Sequence, residues 1–230
     1  MISGIDMFGS YPEYALLKKQ YTKITQEEFE DLSKKRDVFV HLMKQGPNNL
    51  LIYNGFYTAS IFYFEILAII VKRNPDFDAY YMPGHSNLDN SYLNFLNSTG
   101  VKKYLQVRND NFVYMNQTIE FNFGKTDYRI DVSPLIGRML DDGVRVIVVD
   151  GEDDFVCNYQ QSEKSFTTME WSGKKEWSKV ERKPCKYGLC KEYKNLKQIR
   201  VPGSGHGISV YKPEIGLKLI NEFMFGAKEL

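Results

Sequence analysis

The sequence predicts an α/β fold whose parallel strands lie in its C-terminal half. Three observations carry this. A β-branched run, Val144 to Val149, stands between Gly143 and Asp150; a second short run, Lys197 to Val201, ends at Pro202-Gly203; and helical patterns at Ser133 to Asp141 and Pro213 to Phe225 flank the pair. A run as apolar as Val146-Ile147-Val148-Val149 belongs to a strand covered on both faces, as in a parallel sheet.

In chain order, the first half reads as mostly helical. Thr25-Gln26-Glu27-Glu28 offers an N-cap and an acidic first turn to a helix over about 26 to 44, which Gly46-Pro47 stops. A second helix covers about 57 to 72 and ends at Asn74-Pro75; a third covers about 89 to 97, before a turn at Ser98-Thr99-Gly100. In the closing helix Ile215, Leu219, Ile220 and Phe223 share an apolar face. Two strands alone cannot hide both faces of a sheet, so the α/β part is expected to be incomplete, with further strands supplied from elsewhere.

Composition narrows the function classes. With 230 residues, 43% hydrophobic and 26% charged, the chain has the make-up of a globular domain, and a net charge of +1 gives no reason to expect nucleic acid or an anionic membrane as partner. The longest apolar run, Ser60 to Val71, is too short to span a bilayer and is interrupted by Glu65. Met1 to Asp6 lacks a basic n-region and an h-region, so no signal peptide is expected there. Cys185 and Cys190 could close a short disulfide loop. His41, His85 and His206 show no spacing that would complete a metal site, so no metal is expected. Asn97-Ser98-Thr99 and Asn116-Gln117-Thr118 match the glycosylation pattern of secreted proteins.

The chemistry-bearing residues sit just beyond the two strands, where open α/β sheets gather their sites. Asp150-Gly151-Glu152-Asp153-Asp154 follows the first strand, and Gly203-Ser204-Gly205-His206-Gly207 follows the second. A carboxylate on one strand end can bond an imidazole on the next and fix its tautomer. Acid before histidine, late in the chain, is the order of α/β-hydrolases. The bland alternatives are a solvated acidic turn and a surface histidine.

The residues around these turns resemble the serine carboxypeptidases. Gly143 to Asn158 looks like that family's strand and acid loop, Met169 to Trp177 its Trp-x-Gly segment, and Tyr193-Lys194-Asn195-Leu196 and Gly205-His206 its last strand and base turn. Ser10-Tyr11-Pro12-Glu13-Tyr14-Ala15, Tyr92-Leu93-Asn94 and Val101 to Leu105 match upstream segments. The resemblance implies the C-terminal part of an α/β-hydrolase fold, in which residues 1–9 are a remnant of a core strand and loop, 10–130 a helical cap and 131–230 the C-terminal core. It makes Asp154, rather than Glu152 or Asp153, the triad acid, His206 the general base, and Cys157 an unpaired thiol near the substrate cleft. It also implies peptide or protein C-termini as substrate, no metal or organic cofactor, the missing N-terminal half as a partner chain, no nucleic acid or membrane partner, and a secreted or vacuolar/lysosomal location.

The family's nucleophile lies in a Gly-x-Ser-x-Gly elbow, and this sequence contains no such motif. Gly84-His85-Ser86-Asn87-Leu88 comes nearest but lacks the closing glycine, and Ser204 shares the histidine's own turn. No nucleophile is therefore expected within the chain, and the isolated chain is expected to be inactive and poorly soluble. A non-catalytic, binding relative of the family is the alternative. Gly207-Ile208-Ser209 stands where the family usually has Met-Val-Pro, and Gln160-Gln161-Ser162 replaces its aromatic and glycine pattern, which leaves substrate preference open.

Overall fold

A computed structural model of the chain describes residues 2–44, 50–84, 91–108, 110–116, 118, 119, 122, 123 and 131–226. The first surprise lies at the N-terminus. Residues expected as a strand-and-loop remnant belong instead to helix α1 (Gly4–Leu17), whose first turn is capped by the Ser3 hydroxyl accepting from the Asp6 amide. Pro12 and Gly9 inside this helix are weak helix formers, so tertiary packing holds it: Tyr11, Tyr14 and Ala15 are fully buried. After the short α2 (Lys19–Thr22) comes α3 (Gln26–Met43), which begins where its capping signal places it. Thr25 and Glu28 exchange side chain and backbone bonds reciprocally, at 3.1 and 2.8 Å.

Helix α4 (Leu50–Arg73) is longer than its sequence pattern suggested, α5 spans Ser91–Asn97, and the expected turn at 98–100 opens a short helix, α6 (Thr99–Tyr104). Helices α1, α3 and α4 enclose one core, built on Tyr11, Tyr14, Leu32, Phe39, Ile66 and Ile70, that reaches Phe155 and Tyr159 in the C-terminal half. The amide of Asn97, in the first glycosylation pattern, exchanges two hydrogen bonds with the backbone of Phe112.

Helix α7 (Ser133–Asp141) and strand β1 (Val146–Gly151) follow, then helices α8 (Tyr159–Thr168) and α9 (Lys174–Trp177). The chain returns through a hairpin, β2 (Lys183–Cys185) and β3 (Gly188–Tyr193), into β4 (Leu196–Val201), and closes with α10 (Ile208–Tyr211) and α11 (Pro213–Phe225). The sheet order is β1-β4-β3-β2. Strands β1 and β4 pair in parallel from Val146 opposite Leu196 to Gly151 opposite Val201; the other pairs are antiparallel. The sheet thus has four strands rather than the two anticipated. On its β1 edge no further strand pairs among the described residues.

Alternation along the strands divides their side chains between two layers. Val146, Val148 and Leu196 join Leu140, Phe166, Trp171 and Trp177 under α7, α8 and α9, while Ile147, Val149, Ile199 and Val201 meet Leu219 of α11. Ile220, expected on the buried face of α11, is 63% exposed. Within the Trp-x-Gly segment, a Cβ on Gly173 would sit 2.2 Å from the Trp171 ring, so only glycine lets that ring fold back over the chain. Cys185 and Cys190 form a disulfide across the hairpin, with Cα atoms 5.8 Å apart.

Candidate active site

The parallel pairing in register brings the two strand ends together, and glycine makes the approach possible. A Cβ on Gly151 would stand 2.2 Å from the Gly205 carbonyl oxygen and 2.5 Å from that of Ser204. Asp153 N–H, in the acid loop, donates to the Ser204 carbonyl at 2.9 Å. The acid loop and the histidine turn are therefore in backbone contact.

Within that contact His206 donates its Nδ1–H to Asp154 Oδ2 at 2.9 Å. The second carboxylate oxygen, Oδ1, accepts the Cys157 backbone N–H at 3.0 Å. Asp154 is buried, whereas the His206 side chain is 43% exposed. The bond from Asp154, aided by one with Cys157 and opposed by desolvation, pushes the His206 pKa from 6.5 up to about 10. With Nδ1 committed to the acid, Nε2 is the nitrogen left for proton transfer.

Of the three clustered acids, Asp154 alone meets the histidine. Asp153 instead forms a buried ion pair with Lys18 at 3.3 Å, and Glu152 offers its backbone carbonyl to the Tyr14 hydroxyl. Asp150 is buried and accepts from Gln198 at 2.7 Å and Ser162 at 2.9 Å. Cys157 is a free, half-buried thiol, and its sulfur lies within 4.8 Å of donor atoms of both Asp154 and His206. These three are the one group among the described residues with metal-ligand spacing, which the sequence did not suggest. Two of the three are the acid–base pair itself.

Of the two serines weighed as nucleophiles, Ser86 lies outside the described residues. Ser204 is fully buried, its hydroxyl directed to the Gly205 carbonyl at 3.5 Å.

Several supporting residues had no separate signal in the sequence. Burial pushes the Tyr11 hydroxyl pKa well up, and the hydroxyl donates to the Val156 carbonyl at 2.9 Å; Tyr14 reaches Glu152 from the same helix face. The spacing of Tyr11 and Tyr14 on α1 and of Lys18 at its C-cap puts three polar tips on one side of the chain, and that was the available clue.

A family model for serine carboxypeptidases matches residues 13–226. The chain belongs to the serine carboxypeptidase family. It is 30% identical over 138 residues to serine carboxypeptidase-like 48 of Arabidopsis thaliana, covering 58% of this chain and 27% of that protein. It is 28% identical over 146 residues to carboxypeptidase Y of Schizosaccharomyces pombe, covering 58% of this chain and 14% of that one. The crystal structure of Kex1(Δ)p, a prohormone-processing carboxypeptidase from Saccharomyces cerevisiae, superposes with a TM-score of 0.75 at 15% identity. That match covers 97% of this chain and 52% of the neighbour, and shows a shared fold. The chain therefore spans about half of that structure, and its alignments span much less of the curated relatives. Among the described residues no helix is long and apolar enough to cross a membrane.

Proposed function

We propose that this chain supplies the acid, Asp154, and the base, His206, of a serine-type carboxypeptidase site that hydrolyses C-terminal peptide bonds. The observation that carries the proposal is the 2.9 Å bond from His206 Nδ1 to a buried Asp154 on the neighbouring strand end, within a chain of this family. A serine hydroxyl from outside these 230 residues attacks the scissile carbonyl. Nε2 of His206 takes its proton and returns it to the leaving amine, Asp154 stabilises the imidazolium, and backbone N–H groups hold the oxyanion.

The part that brings the serine lies along β1, whose outer edge has no strand partner among the described residues. It also covers the exposed imidazole. Desolvation disfavours the cation, so this covering lowers the His206 pKa toward the range in which a neutral base can work. In this reading residues 10–130 are the cap that shapes the cleft, residues 131–230 are the C-terminal core, and Cys157 lines the pocket. The substrates are peptide or protein C-termini, and the compartment is secretory, vacuolar or lysosomal; the Cys185–Cys190 disulfide supports an oxidising one.

The test is complementation. The chain is co-expressed with the N-terminal half of a family member that carries the Gly-x-Ser-x-Gly elbow. Release of the C-terminal amino acid from an N-blocked dipeptide is then measured together with fluorophosphonate labelling. The chain alone is expected to be silent in both assays, and the pair active, with His206→Gln and Asp154→Asn abolishing release. A complex that binds peptide C-termini without turnover would favour the non-catalytic relative, and release that survives His206→Gln would sink the proposal.

A further inference from the structure

The acid–base pair is held from a third side by a segment to which neither the motifs nor the family resemblance gave a role. Residues 78–82 follow α4 without regular structure and pass across both strand-end turns. Phe155 and Val156 N–H groups donate to the Ala79 carbonyl at 2.9 and 3.2 Å, and Met82 N–H donates to the Asp153 carbonyl at 3.0 Å. Both peptide neighbours of Asp154 are thus bonded to this segment. Between those bonds, the Tyr80 carbonyl accepts the His206 backbone N–H at 2.8 Å, and the Tyr80 ring meets the His206 imidazole edge to face at 5.1 Å. Tyr81 stacks on Tyr211, in the helix that follows the histidine turn, at 4.5 Å. Asp78 fixes the segment's own turn by accepting the Tyr80 N–H at 2.8 Å. Gly205 is shaped to this partner: a Cβ there would fall 2.1 Å from the Tyr80 carbonyl oxygen and 2.9 Å from the Tyr211 ring.

We propose that Tyr80 is a positioning residue for the acid–base pair: its carbonyl sets the main chain of His206, and its ring packs the imidazole against Asp154 and keeps water from their hydrogen bond. The proposal rests on the reading of His206 as the base, but its geometry can be tested without catalysis. A bond between a buried carboxylate and a half-exposed imidazole is strong only while its surroundings stay dry and its angle stays fixed. An aromatic ring at this distance supplies both conditions. The same segment bonds Asp153, Phe155 and Val156, so a shift of residues 78–82 would move both partners of the pair together.

The chain has only three histidines, so each can be followed by NMR during a pH titration, with His206 assigned by the signal missing in His206→Gln. In the unaltered chain His206 is expected to titrate near 10 with its proton on Nδ1 in the neutral form. Tyr80→Ala is expected to bring the titration down toward 6.5 and to mix the tautomers. Tyr80→Phe, which keeps the ring, is expected to retain the original value. Gly205→Ala, which pushes the segment off from the other side, is expected to act as Tyr80→Ala does. Thermal unfolding of each variant distinguishes loss of fold from loss of position. Because Tyr80 is 39% exposed, its truncation is expected to leave the chain folded, so Tyr80→Ala decides even if Gly205→Ala does not fold. An unchanged His206 titration and tautomer in folded Tyr80→Ala would overturn the proposal, and so would a fall in Tyr80→Phe equal to that in Tyr80→Ala. Neither result would touch the complementation test, so a failure here is distinguishable from a failure of the proposed activity.

Discussion

Tyr14 donates its hydroxyl proton to the Glu152 carbonyl at 2.6 Å, tying the N-terminal helix to the acid loop two residues before Asp154. The donor is buried, and burial holds its pKa far above that of a free phenol, so it remains a proton donor throughout the working pH range. Tyr14→Phe keeps the ring that packs on Tyr159 at 5.4 Å but leaves the carbonyl without this donor. The expected cost is about 1–3 kcal/mol, read as a lower urea midpoint at unchanged slope. An unchanged midpoint would mean that water replaces the hydroxyl and that the helix does not brace the loop.

Asp154→Asn tests the electrostatic half of the pair. The folded pKa of His206 is raised from 6.5 to about 10, chiefly by its bond to Asp154. The folded state therefore holds a proton that the unfolded state releases in this interval. The pair's stabilisation is fully present below pH 6.5 and is lost as pH rises through about 10. The imidazole is 43% exposed, so solvent screens the effect and the free energy falls well short of what the shift alone implies. In Asp154→Asn the decline in stability between pH 6.5 and 10 is expected to flatten, and His206 to titrate near an ordinary imidazole. Parallel stability curves for the two proteins across that interval would contradict it.

What the sequence made legible was whatever rests on local pattern. The Thr25–Glu28 capping box and the Ser133 and Pro213 helices are each specified by neighbours in the chain, and each lies where the pattern put it, while β1 (Val146–Gly151) is shifted two residues along from the β-branched run Val144 to Val149. The pairing of Asp154 with His206 was legible because two parallel strands must end on the same edge. Helix α1 was not, since Pro12 and Gly9 argue locally against a helix that only burial of Tyr11 and Tyr14 sustains. The β2–β3 hairpin was hidden for a related reason: its strands are short and carry Pro184, Lys183, Lys191 and Glu192 in place of an apolar run. The hold of Tyr80 on His206 works partly through a backbone carbonyl, which every residue has, so no residue type could announce it.

Asp150 should make the fold respond to acid in the opposite sense from an ion-paired carboxylate. Burial pushes its pKa from 3.8 up to about 6, against the pull of donors from Gln198 and Ser162 and of the nearby Arg182 cation; the Asp154 charge pushes the same way as burial. Between pH 3.8 and 6 the folded state binds a proton that the unfolded state does not. The cost of burying this carboxylate is therefore relieved as pH falls through 6, and it returns as pH rises. An asparagine can accept from Gln198 and donate to Ser162, whose hydroxyl is free to turn. Asp150→Asn is accordingly expected to be at least as stable as the parent at pH 7, with the two converging toward pH 4. A variant markedly weaker at pH 7 would show that the charge itself is needed.

The Cys185–Cys190 disulfide closes a loop of six residues on an edge hairpin. Chain entropy alone gives such a loop a stabilisation of about 2 kcal/mol. Cys185→Ser with Cys190→Ser is expected to lower global stability by no more than this and to leave the His206 titration unmoved, because the hairpin lies on the side of the sheet away from β1. Alkylation of the native chain under denaturing, non-reducing conditions should modify Cys157 alone, and three modified thiols per chain would rule the disulfide out.

Gly151→Ala separates close packing from backbone strain. Gly151 has no positive φ, so alanine is conformationally acceptable there, but its Cβ would meet two backbone carbonyl oxygens of the histidine turn at 2.2 and 2.5 Å. Backbone cannot yield as a flexible side chain can. The two strand ends must move apart, at a cost of about 1–3 kcal/mol, and His206 must draw away from Asp154. Gly143→Ala is the converse. Its φ is +81°, yet nothing lies within 4 Å of a Cβ there, so the expected loss is about 1 kcal/mol from the left-handed conformation alone. Both variants should unfold at lower temperature, but only Gly151→Ala should bring the His206 titration down toward 6.5. If Gly143→Ala moved that titration equally, the pair would depend on overall stability rather than on the contact of Gly151 with the turn at Gly205.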